Sequence, residues 1–363
     1  MYTRDKTRSI MVGTVAVGGG APVTVQSMTN TDTRDVEATV GQIRALETAG
    51  CDIVRLAVPD EEAAAALKKI RGSVAVPLVA DIHFKHTLAL TAIDAGIDKL
   101  RINPGNIGSA GKVREVARAA SERGIPIRVG VNAGSLRGDL LEKYGRPTPE
   151  ALVESAREEV AVLNDAGFGD VCVSIKASNV RDTINANYLF SLHHDNPLHL
   201  GITESGTLRT GTIKSACGFG AMLSRDIGDT IRVSLTADPV EEVLAGIVIL
   251  KSLGLRTGGV EVISCPTCGR TNINIIGLAE EVELRAASII RPMTIAVMGC
   301  VVNGPGEARE ADYGIAGGKG EGLLFRHGEI IGKVPERELV DALFELIQRD
   351  GESDGSDDTL TRL

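Results

Sequence analysis

The sequence predicts a TIM (β/α)8 barrel followed by a smaller α/β domain, from three features: eight apolar runs, the helical segments between them and the glycines after those segments. The runs are rich in Val, Ile and Leu on both faces, which is typical of parallel strands covered on both sides. They span 23–28, 53–58, 78–83, 99–104, 127–132, 171–176, 198–203 and 231–236. Eight strands, each followed by a helix, predict a closed barrel of about 250 residues, with an open doubly wound sheet as the alternative.

Helices are predicted by their periodicity and by the residues at their ends. Apolar residues recur at helical spacing over 36–49, 61–70, 112–123, 149–166 and 239–253. The capping residues are Thr33 or Asp35, Asp60, Ser109, Thr148 and Asp238. The glycines expected to end helices in the left-handed conformation are Gly50, Gly72, Gly96, Gly124, Gly167 and Gly254. We therefore place the barrel at 1–254, a second domain at 255–350 and an acidic tail, expected to be disordered, at 351–363.

The run Gly18, Gly19, Gly20 looks like a phosphate-binding loop but lacks the helix that such a loop requires. It lies between strand-like runs at 14–17 and 23–28. We therefore predict a hairpin turn here, in a hairpin that plugs the lower end of the barrel.

Charge and hydropathy narrow the classes of protein that the chain can belong to. The net charge is -9, from 39 Lys and Arg against 48 Asp and Glu, which argues against a sequence-independent grip on nucleic acid. No apolar run approaches the roughly 20 residues that span a bilayer, and the N-terminal residues lack the apolar segment of a secretory signal. We expect a cytoplasmic protein without nucleic-acid or membrane partners, whose six Cys stay reduced.

Polar residues stand where the predicted barrel strands end, which is where TIM barrels build their active sites. These residues are Gln26, Ser27, Arg55, Asp81, His83, Arg101, Asn103, Arg128, Asn132, Ser174, Lys176, Thr203, Glu204, Arg232 and Ser234. A salt bridge to a neighbouring loop would explain any one of the cations. Together they indicate an anionic ligand with more than one phosphate, because unpaired buried cations are costly and Arg matches phosphate oxygens bidentately.

Two carboxylates and one loop complete the predicted active site. Glu204 and Asp81 are candidates for proton transfer, although each could instead only orient the Arg side chains. The connection over 133–147 is long and holds three glycines, so it could close over the substrate or form a static ordered loop.

Three Cys in the second domain have the spacing of metal ligands. A predicted strand at 260–264 leads into Cys265-Pro-Thr-Cys268, a helix follows at 273–288, and a second strand at 293–298 leads into Gly299-Cys300. Three thiolates fit a [4Fe-4S] cluster with one iron open to a weaker ligand, for which Glu307 is the natural candidate. Structural zinc is the alternative. It would need a fourth Cys or His, and the domain's only His, His327, precedes Gly328 in a predicted hairpin turn.

The remaining Cys and His residues have simpler interpretations. Cys51, Cys172 and Cys217 are interpreted as small buried hydrophobic residues. The residues interpreted as structural histidines are His86, His193, His194 and His199.

Four motifs together resemble the 4-hydroxy-3-methylbut-2-enyl diphosphate synthase family, also called IspG or GcpE, over nearly the whole chain. They are Ser-Cys-Pro-Thr-Cys-Gly-Arg at 264–270, Met-Gly-Cys-Val-Val-Asn-Gly-Pro-Gly-Glu-Ala at 298–308, Val-Gln-Ser-Met-Thr-Asn-Thr-Asp-Thr at 25–33 and Arg-Ile-Asn-Pro-Gly-Asn at 101–106. The resemblance implies reductive opening and dehydration of 2-C-methyl-D-erythritol 2,4-cyclodiphosphate, in the methylerythritol phosphate route to isoprenoids. Flavodoxin or ferredoxin would deliver two electrons singly. The short link at 253–259 implies the bacterial two-domain form.

The resemblance also assigns roles to residues. The implied cluster ligands are Cys265, Cys268, Cys300 and Glu307. The implied diphosphate and substrate ligands are Arg55, Arg101, Asn103, Arg128, Asn132, Lys176, Arg232, Ser234 and Asn303. Glu204 is the expected acid, and His83 and Asp81 are the other candidates for catalysis.

The last barrel helix predicts a homodimer. Each helix of a (β/α)8 barrel runs back from the active-site face, so the helix ending near Leu253 delivers the chain to the opposite face. That helix is about 20 Å long at 1.5 Å per residue, and the link to Val260 is short. We therefore expect each cluster domain to cap the barrel of its partner.

Two other functions are compatible with parts of the pattern. Lys176 could be the Schiff-base nucleophile of a phosphosugar aldolase whose Cys module holds zinc. The chain could also be a non-catalytic iron-sulfur redox sensor, although a sensor has no need for a ring of cations at the barrel mouth.

Overall fold

The computed structural model describes residues 3–271, 273–300, 309–318 and 320–353, with only the backbone described at 352 and 353. The chain divides into two compact units, the barrel unit (Met1–Arg256) and the C-terminal unit (Thr257–Leu363). Within the described ranges, no helix is long and apolar enough to cross a bilayer.

A short antiparallel hairpin of β1 (Ile10–Val12) and β2 (Val15–Val17) precedes the barrel. The glycine run 18–20 follows this hairpin and leads into the first barrel strand, so the predicted hairpin turn at these glycines is wrong. Gly18 has a φ of 85°, and a Cβ there would lie 2.1 Å from the carbonyl oxygen of Arg8, so close backbone approach explains that glycine. The hairpin packs against residues near the starts of barrel strands, which is the lower end that it was expected to cover.

Eight parallel strands form the barrel in the predicted chain order. They are β3 (Thr24–Met28), β4 (Ile53–Ala57), β5 (Leu78–Asp81), β6 (Lys99–Ile102), β7 (Ile127–Asn132), β8 (Val171–Lys176), β9 (His199–Gly201) and β10 (Thr230–Arg232). The hydrogen-bonded order runs from β8 down to β3 and then through β10 to β9. A parallel bridge between Val173 and Leu198 joins the two ends and closes the barrel.

Among the described residues of the barrel unit, ten α-helices connect or follow these strands. They are α1 (Val36–Thr48), α2 (Glu61–Arg71), α3 (His86–Asp94), α4 (Pro104–Ile107), α5 (Ala110–Arg123), α6 (Gly138–Tyr144), α7 (Pro149–Asp165), α8 (Val180–Ser191), α9 (Leu208–Leu223) and α10 (Pro239–Ser252). The main apolar core lies between strands and helices, where Val54 and Leu56 of β4 pack in the same cluster as Leu67 of α2. Alternate residues such as Arg55 therefore face the barrel interior.

Most of the predicted helix ends have the expected chemistry. The side chains of Asp35, Asp60, Thr148 and Asp238 each accept a backbone N–H hydrogen bond at the start of a helix. Gly72 is an exception among the glycines, because its φ of -71° is right-handed and needs no glycine.

The C-terminal unit is a five-stranded mixed sheet with helices on one face. Its elements are β11 (Val260–Ser264), α11 (Ile275–Ala286), β12 (Met293–Met298), β13 (Tyr313–Gly317), β14 (Glu321–Arg326), β15 (Glu329–Pro335) and α12 (Leu339–Ser353). The first three strands are parallel and the last three antiparallel. His327 and Gly328 form the predicted turn between β14 and β15, with φ of 46° and 77°. Helix α12 includes 351–353, which the sequence analysis assigned to the tail, and 354–363 lie outside the described residues.

Candidate active site at the carboxyl ends of the barrel strands

A cavity of about 300 Å³ opens at the carboxyl ends of the barrel strands. Its lining residues are Arg55, Asp81, His83, Arg101, Arg128, Gly130, Asn132, Ala133, Gly134, Ser174, Lys176, Ala177, Ser178, Thr203, Glu204 and Arg232. The barrel residues proposed from the sequence are thus brought together, except Gln26, Ser27, Asn103 and Ser234, which do not line it. Parallel register explains the convergence, because Arg101 is paired with Asp81 on one side and with Arg128 on the other.

Asp81 is the carboxylate at the centre of the guanidinium groups. Its Oδ1 accepts a hydrogen bond from Arg101 Nη1 at 3.0 Å, and its Oδ2 lies 3.7 Å from Arg55 Nε. Burial alone would raise the pKa of Asp81, but the hydrogen bond from His83 and the charge of Arg55 outweigh it and lower that pKa. Asp81 is therefore ionised at neutral pH, which favours the orienting role over that of a proton donor.

The cations of the cavity exceed the carboxylates that could neutralise them. Burial, reinforced by the charge of neighbouring Arg101, lowers the pKa of Arg128 to about 10. Burial also lowers the pKa values of Arg55 and Lys176, and the charge of Arg128 adds to both effects. Among the described residues, the Nε atoms of Arg101, Arg128 and Arg232 are buried without a hydrogen-bond partner. Such donors suit an anionic ligand.

Arg232 is held from the side of helix α10. Its Nη2 lies 3.5 Å from Glu242 Oε2, and that oxygen also accepts a hydrogen bond from the hydroxyl of Ser27 at 3.2 Å. The other oxygen of Glu242 accepts the backbone N–H of Leu235 at 2.9 Å. Glu242 therefore fixes both the guanidinium group and the chain that follows β10.

Glycines on two strands make room for the cations. A Cβ on Gly201 of β9 would lie 2.6 Å from Cε of Lys176, so the lysine occupies the space of the missing side chain. A Cβ on Gly130 of β7 would lie 3.4 Å from the guanidinium nitrogens Nε and Nη2 of Arg101. Only the first of these distances is too short for a side chain, so Gly201 is required by close approach, whereas a Cβ on Gly130 would make ordinary van der Waals contact with Arg101.

Glu204 lies on the rim in a backbone conformation that is rare for residues other than glycine. Its φ is 55°, in the left-handed region. Holding a non-glycine residue there costs on the order of 1 kcal/mol, and such residues cluster at functional sites. The neighbouring Ser205 hydroxyl donates a hydrogen bond to the carbonyl oxygen of Ser234, which ties the loop after β9 to the loop after β10.

Three further predicted residues of the barrel, His83, Asn103 and Ser234, differ in their surroundings. His83 is half-exposed, and Arg101 Nη1 lies 3.0 Å from a nitrogen of its ring. The Oδ1 of Asn103 and the Oγ of Ser234 are buried and lack a partner among the described residues. Their polar atoms are therefore available to a ligand or water.

The sequence analysis missed five lining residues: Gly130, Ala133, Gly134, Ala177 and Ser178. Gly134 was noted only as a loop glycine. The signal that could have found Gly130 is its position in the inward-facing series that also holds Arg128 and Asn132 on β7. The others follow strand ends and expose backbone groups, for which composition gives no signal.

The segment 133–147 is an ordered structure. It contains a 3-10 turn (Ala133–Ser135) followed by α6. Tyr144 and Lys143 both donate hydrogen bonds to Glu154 of α7, at 2.6 and 2.7 Å, and Arg137 lies 2.6 Å from Glu158. These contacts favour the static ordered loop over a loop that closes on substrate.

The Cys module lies in the C-terminal unit, beyond the ends of two adjacent strands. Cys265 directly follows β11, and Cys300 follows β12 after Gly299. The backbone N–H of Gly299 donates a hydrogen bond to the sulfur of Cys265 at 3.1 Å. Cys268 lies on the exposed loop between β11 and α11, where a hydrogen bond from the backbone of Arg270 lowers its pKa.

Two of the predicted residues of this module, Asn303 and Glu307, lie outside the described residues. Among those that are described, no group of three His, Cys, Asp or Glu side chains has the arrangement of a metal site. The donor chemistry nonetheless suits a soft metal, because hydrogen bonds reach the sulfurs of Cys265 and Cys268 and stabilise thiolate.

Two family models match the chain. One, described as the GcpE TIM-barrel domain, matches residues 7–247, and the other, described as the GcpE protein C-terminal domain, matches residues 261–349. The chain belongs to the GcpE family. This membership supports the synthase interpretation over the aldolase and the redox sensor.

Curated relatives extend the match over almost the whole chain. The 4-hydroxy-3-methylbut-2-en-1-yl diphosphate synthase (flavodoxin) of Geobacter sulfurreducens is 60% identical over 346 residues, which cover 95% of this GcpE chain and 98% of the relative. The protein of the same name from Clostridium perfringens is 58% identical over 345 residues, covering 95% and 99%. Among solved structures, a dihydropteroate synthase from Xanthomonas albilineans matches with a TM-score of 0.50 at 15% identity, over 68% of this chain and 97% of that chain. This last likeness concerns the fold alone.

Proposed function

We propose that this chain is an iron-sulfur oxidoreductase that converts 2-C-methyl-D-erythritol 2,4-cyclodiphosphate to 4-hydroxy-3-methylbut-2-enyl diphosphate. The names of the curated relatives suggest the reaction. The observation that carries the proposal is the cavity of the barrel unit, where three guanidinium groups present buried, unpaired Nε atoms. A cyclic diphosphate supplies the negative charge that these cations lack.

The barrel unit binds and orients the substrate in this proposal. Arg55, Arg101 and Arg128 hold the diphosphate from below, while Asp81 fixes the relative position of the first two. Arg232 and Lys176 complete the charge complement from the other side of the cavity. Asn132 lines the same cavity and can donate to a phosphate oxygen, and His83 stands at its rim.

The C-terminal unit holds the cofactor in this proposal. Cys265, Cys268 and Cys300 are the thiolate ligands of a [4Fe-4S] cluster, with Glu307 as the fourth and weaker ligand. When bound, the cluster supplies electrons one at a time to the substrate. The hydrogen bonds that reach two of the three sulfurs support this assignment. N–H donors to sulfur stabilise thiolates and make the reduction of a bound cluster easier.

Glu204 is the proton donor of the dehydration. Reduction by two electrons breaks the bond between ring carbon and diphosphate oxygen, and the oxygen keeps the bonding pair. The two added electrons, left on that carbon, form the C=C bond of the product as the hydroxyl group on the adjacent carbon departs. The hydroxyl group that departs must take a proton to leave as water. Glu204 is the carboxyl group on the rim that no described cation engages, and its fixed φ of 55° holds the backbone from which the side chain extends.

Flavodoxin is the electron donor in this proposal, because the names of the curated relatives include it. The assay is anaerobic turnover of the cyclic diphosphate with reduced flavodoxin, followed by quantification of the product. Glu204→Gln should lower kcat by about 100-fold or more with little change in KM, because general acids typically contribute that much. An equal loss in an exposed control, Arg118→Met, would mean that the effect is not specific to the acid.

The active enzyme is a homodimer in which each C-terminal unit caps the barrel of its partner. The end of the barrel unit supports this arrangement. Arg256 Nη1 lies 2.7 Å from Asp52 Oδ2, and Asp52 directly precedes β4 at the face opposite the cavity. The four steps from Arg256 to Val260 reach at most about 14 Å, shorter than the roughly 21 Å length of α10.

Mixing two inactive chains tests the dimer. Cys268→Ser removes a cluster ligand and Glu204→Gln removes the acid, so each chain alone should be inactive. If the sites form between chains, random mixing should recover about one quarter of the wild-type activity, because half of the dimers are mixed and each holds one intact site. Sites formed within one chain would recover no activity in the mixture.

A further inference from the structure

A second layer of polar side chains lies in the barrel interior beneath the cavity. Lys99 is the first residue of β6, two positions before Arg101 and therefore on the same inward face of the strand. Its side chain is completely buried, with 0% exposure. Among the described residues, its Nζ has no hydrogen-bond partner and no carboxylate lies within ion-pair distance of it.

The titratable and charged groups that influence Lys99 come from four other barrel strands. They are Arg55 of β4, Arg128 of β7, His199 of β9 and the thiol of Cys172 on β8, of which the two Arg are cationic. Both ring nitrogens of His199 are also buried without a partner among the described residues. A charged Lys99 would therefore add one more cation to a layer that already lies below an excess of positive charge.

Burial, together with the charges of Arg128 and Arg55 and against the opposing effect of Cys172, lowers the pKa of Lys99 to about 8. An anion in the cavity above would reverse the effect of the guanidinium groups. Negative charge close to a buried amine favours its protonated form. The charge state of Lys99 is thus coupled to the occupancy of the cavity.

We propose that Lys99 takes up a proton from solvent when a diphosphate enters the cavity, and so becomes an additional buried cation that stabilises the bound anion without touching it. The inference rests on the proposed function of the cavity as a diphosphate site. Lys99 acts on the bound anion through its charge and not through contact: above pH 8 the empty barrel lacks this buried charge, and the occupied barrel gains it.

The pH dependence of binding follows from this coupling. Below pH 8 Lys99 is already mostly protonated, so it gains little additional proton when the diphosphate binds. Above pH 8 the free protein must acquire the proton on binding, and the affinity falls as the pH rises towards the higher pKa of the complex. The wild-type affinity for a diphosphate should therefore fall about threefold to fivefold more between pH 8 and 9 than that of Lys99→Met.

The experiment is isothermal titration of the full-length, cluster-containing protein with inorganic pyrophosphate, without oxygen, in two buffers of different ionisation enthalpy. The difference between buffers gives the number of protons taken up. At pH 9, wild type should take up at least about half a proton more per pyrophosphate than Lys99→Met, and at pH 6.5 the two should agree. KM for the cyclic diphosphate should follow the same pattern, while kcat should not.

Two further variants identify the proton acceptor. Lys99→Arg carries a permanent charge, so it should bind pyrophosphate at pH 9 without the additional uptake. Cys172→Ala should keep the wild-type uptake, whereas loss of uptake in this variant alone would assign the proton to the thiolate and overturn the proposal.

The failure of this proposal can be distinguished from the failure of the proposed function. Equal uptake at pH 9 in wild type and Lys99→Met, with pyrophosphate binding intact in both, overturns the role of Lys99 alone. If wild type binds no pyrophosphate at any pH, the cavity is not a diphosphate site, and both proposals fall.

Discussion

Replacement of Arg128 by Met should make the barrel more stable and lower its affinity for a diphosphate. Arg128 is 2% exposed, and burial together with Arg101 lowers its pKa to about 10. Because the ordinary pKa of Arg is about 12.5 or higher, this corresponds to about 3 kcal/mol of unfavourable free energy for the charged form. The folded pKa lies below the unfolded one, so the penalty is fully present at pH 7 and is relieved only as the pH rises through about 10.

Met keeps most of the apolar stem of Arg and carries no charge, so the replacement should recover part of this penalty. We expect the free energy of unfolding to rise by about 1–3 kcal/mol. The melting temperature should rise by about 2–4 °C for each kcal/mol. The affinity for the diphosphate should fall roughly tenfold to a hundredfold, because a hydrogen bond to a charged group contributes about 1.5–3 kcal/mol.

Urea unfolding at pH 7 and titration with pyrophosphate measure the two effects on the same samples. Arg118→Met is the matched control, since Arg118 is exposed on α5 and its Nε lies 3.9 Å from Glu122 Oε1. Neither quantity should change in the control beyond about 0.5 kcal/mol. A destabilised Arg128→Met protein with unchanged affinity would refute the reasoning, because the charge would then serve the fold and not the ligand.

Two other substitutions test the close approach in the cavity and the cofactor ligands. Gly201→Ala should displace Lys176 and weaken pyrophosphate binding by about tenfold. Gly220→Ala is the control, since a Cβ there would meet no atom within 4 Å and the affinity should not change. Titration calorimetry measures both affinities, and equal values would contradict the steric argument. Cys268→Ser should lower the bound iron and sulfide of anaerobically purified protein, and full iron content in this variant would remove Cys268 from the ligand set. Cys217→Ser should retain both, since Cys217 is exposed and its interpretation as a buried residue is wrong.

The barrel was predictable because eight runs rich in Val, Ile and Leu alternate with helical segments, and polar residues stand at the ends of these runs. Val54 and Leu56 mark the strand β4, and Arg55 between them marks the inward face. The hairpin of β1 and β2 was misplaced because three-residue strands are too short for a periodic signal, and the glycine run after it suggested a turn.

The lower layer of the barrel could not be predicted from the sequence. Lys99 lies at the start of a strand, where a charged residue usually marks an exposed end, and only the register with Val79 of β5 places it inside. The same holds for His199, which was interpreted as structural and lies in the barrel interior with both nitrogens unpaired among the described residues. Sequence gives the alternation of side chains along a strand but not the depth at which each residue stands in the closed barrel.

The central claim is that the cation-lined barrel presents a cyclic diphosphate for reduction by a cluster. A single-turnover experiment tests it most directly: chemically reduced, cluster-loaded protein is mixed with 2-C-methyl-D-erythritol 2,4-cyclodiphosphate without oxygen, and the product is quantified by mass spectrometry. The account predicts 4-hydroxy-3-methylbut-2-enyl diphosphate, in an amount limited by the electrons supplied. Unchanged substrate after mixing with protein whose cluster is intact and reduced would contradict it.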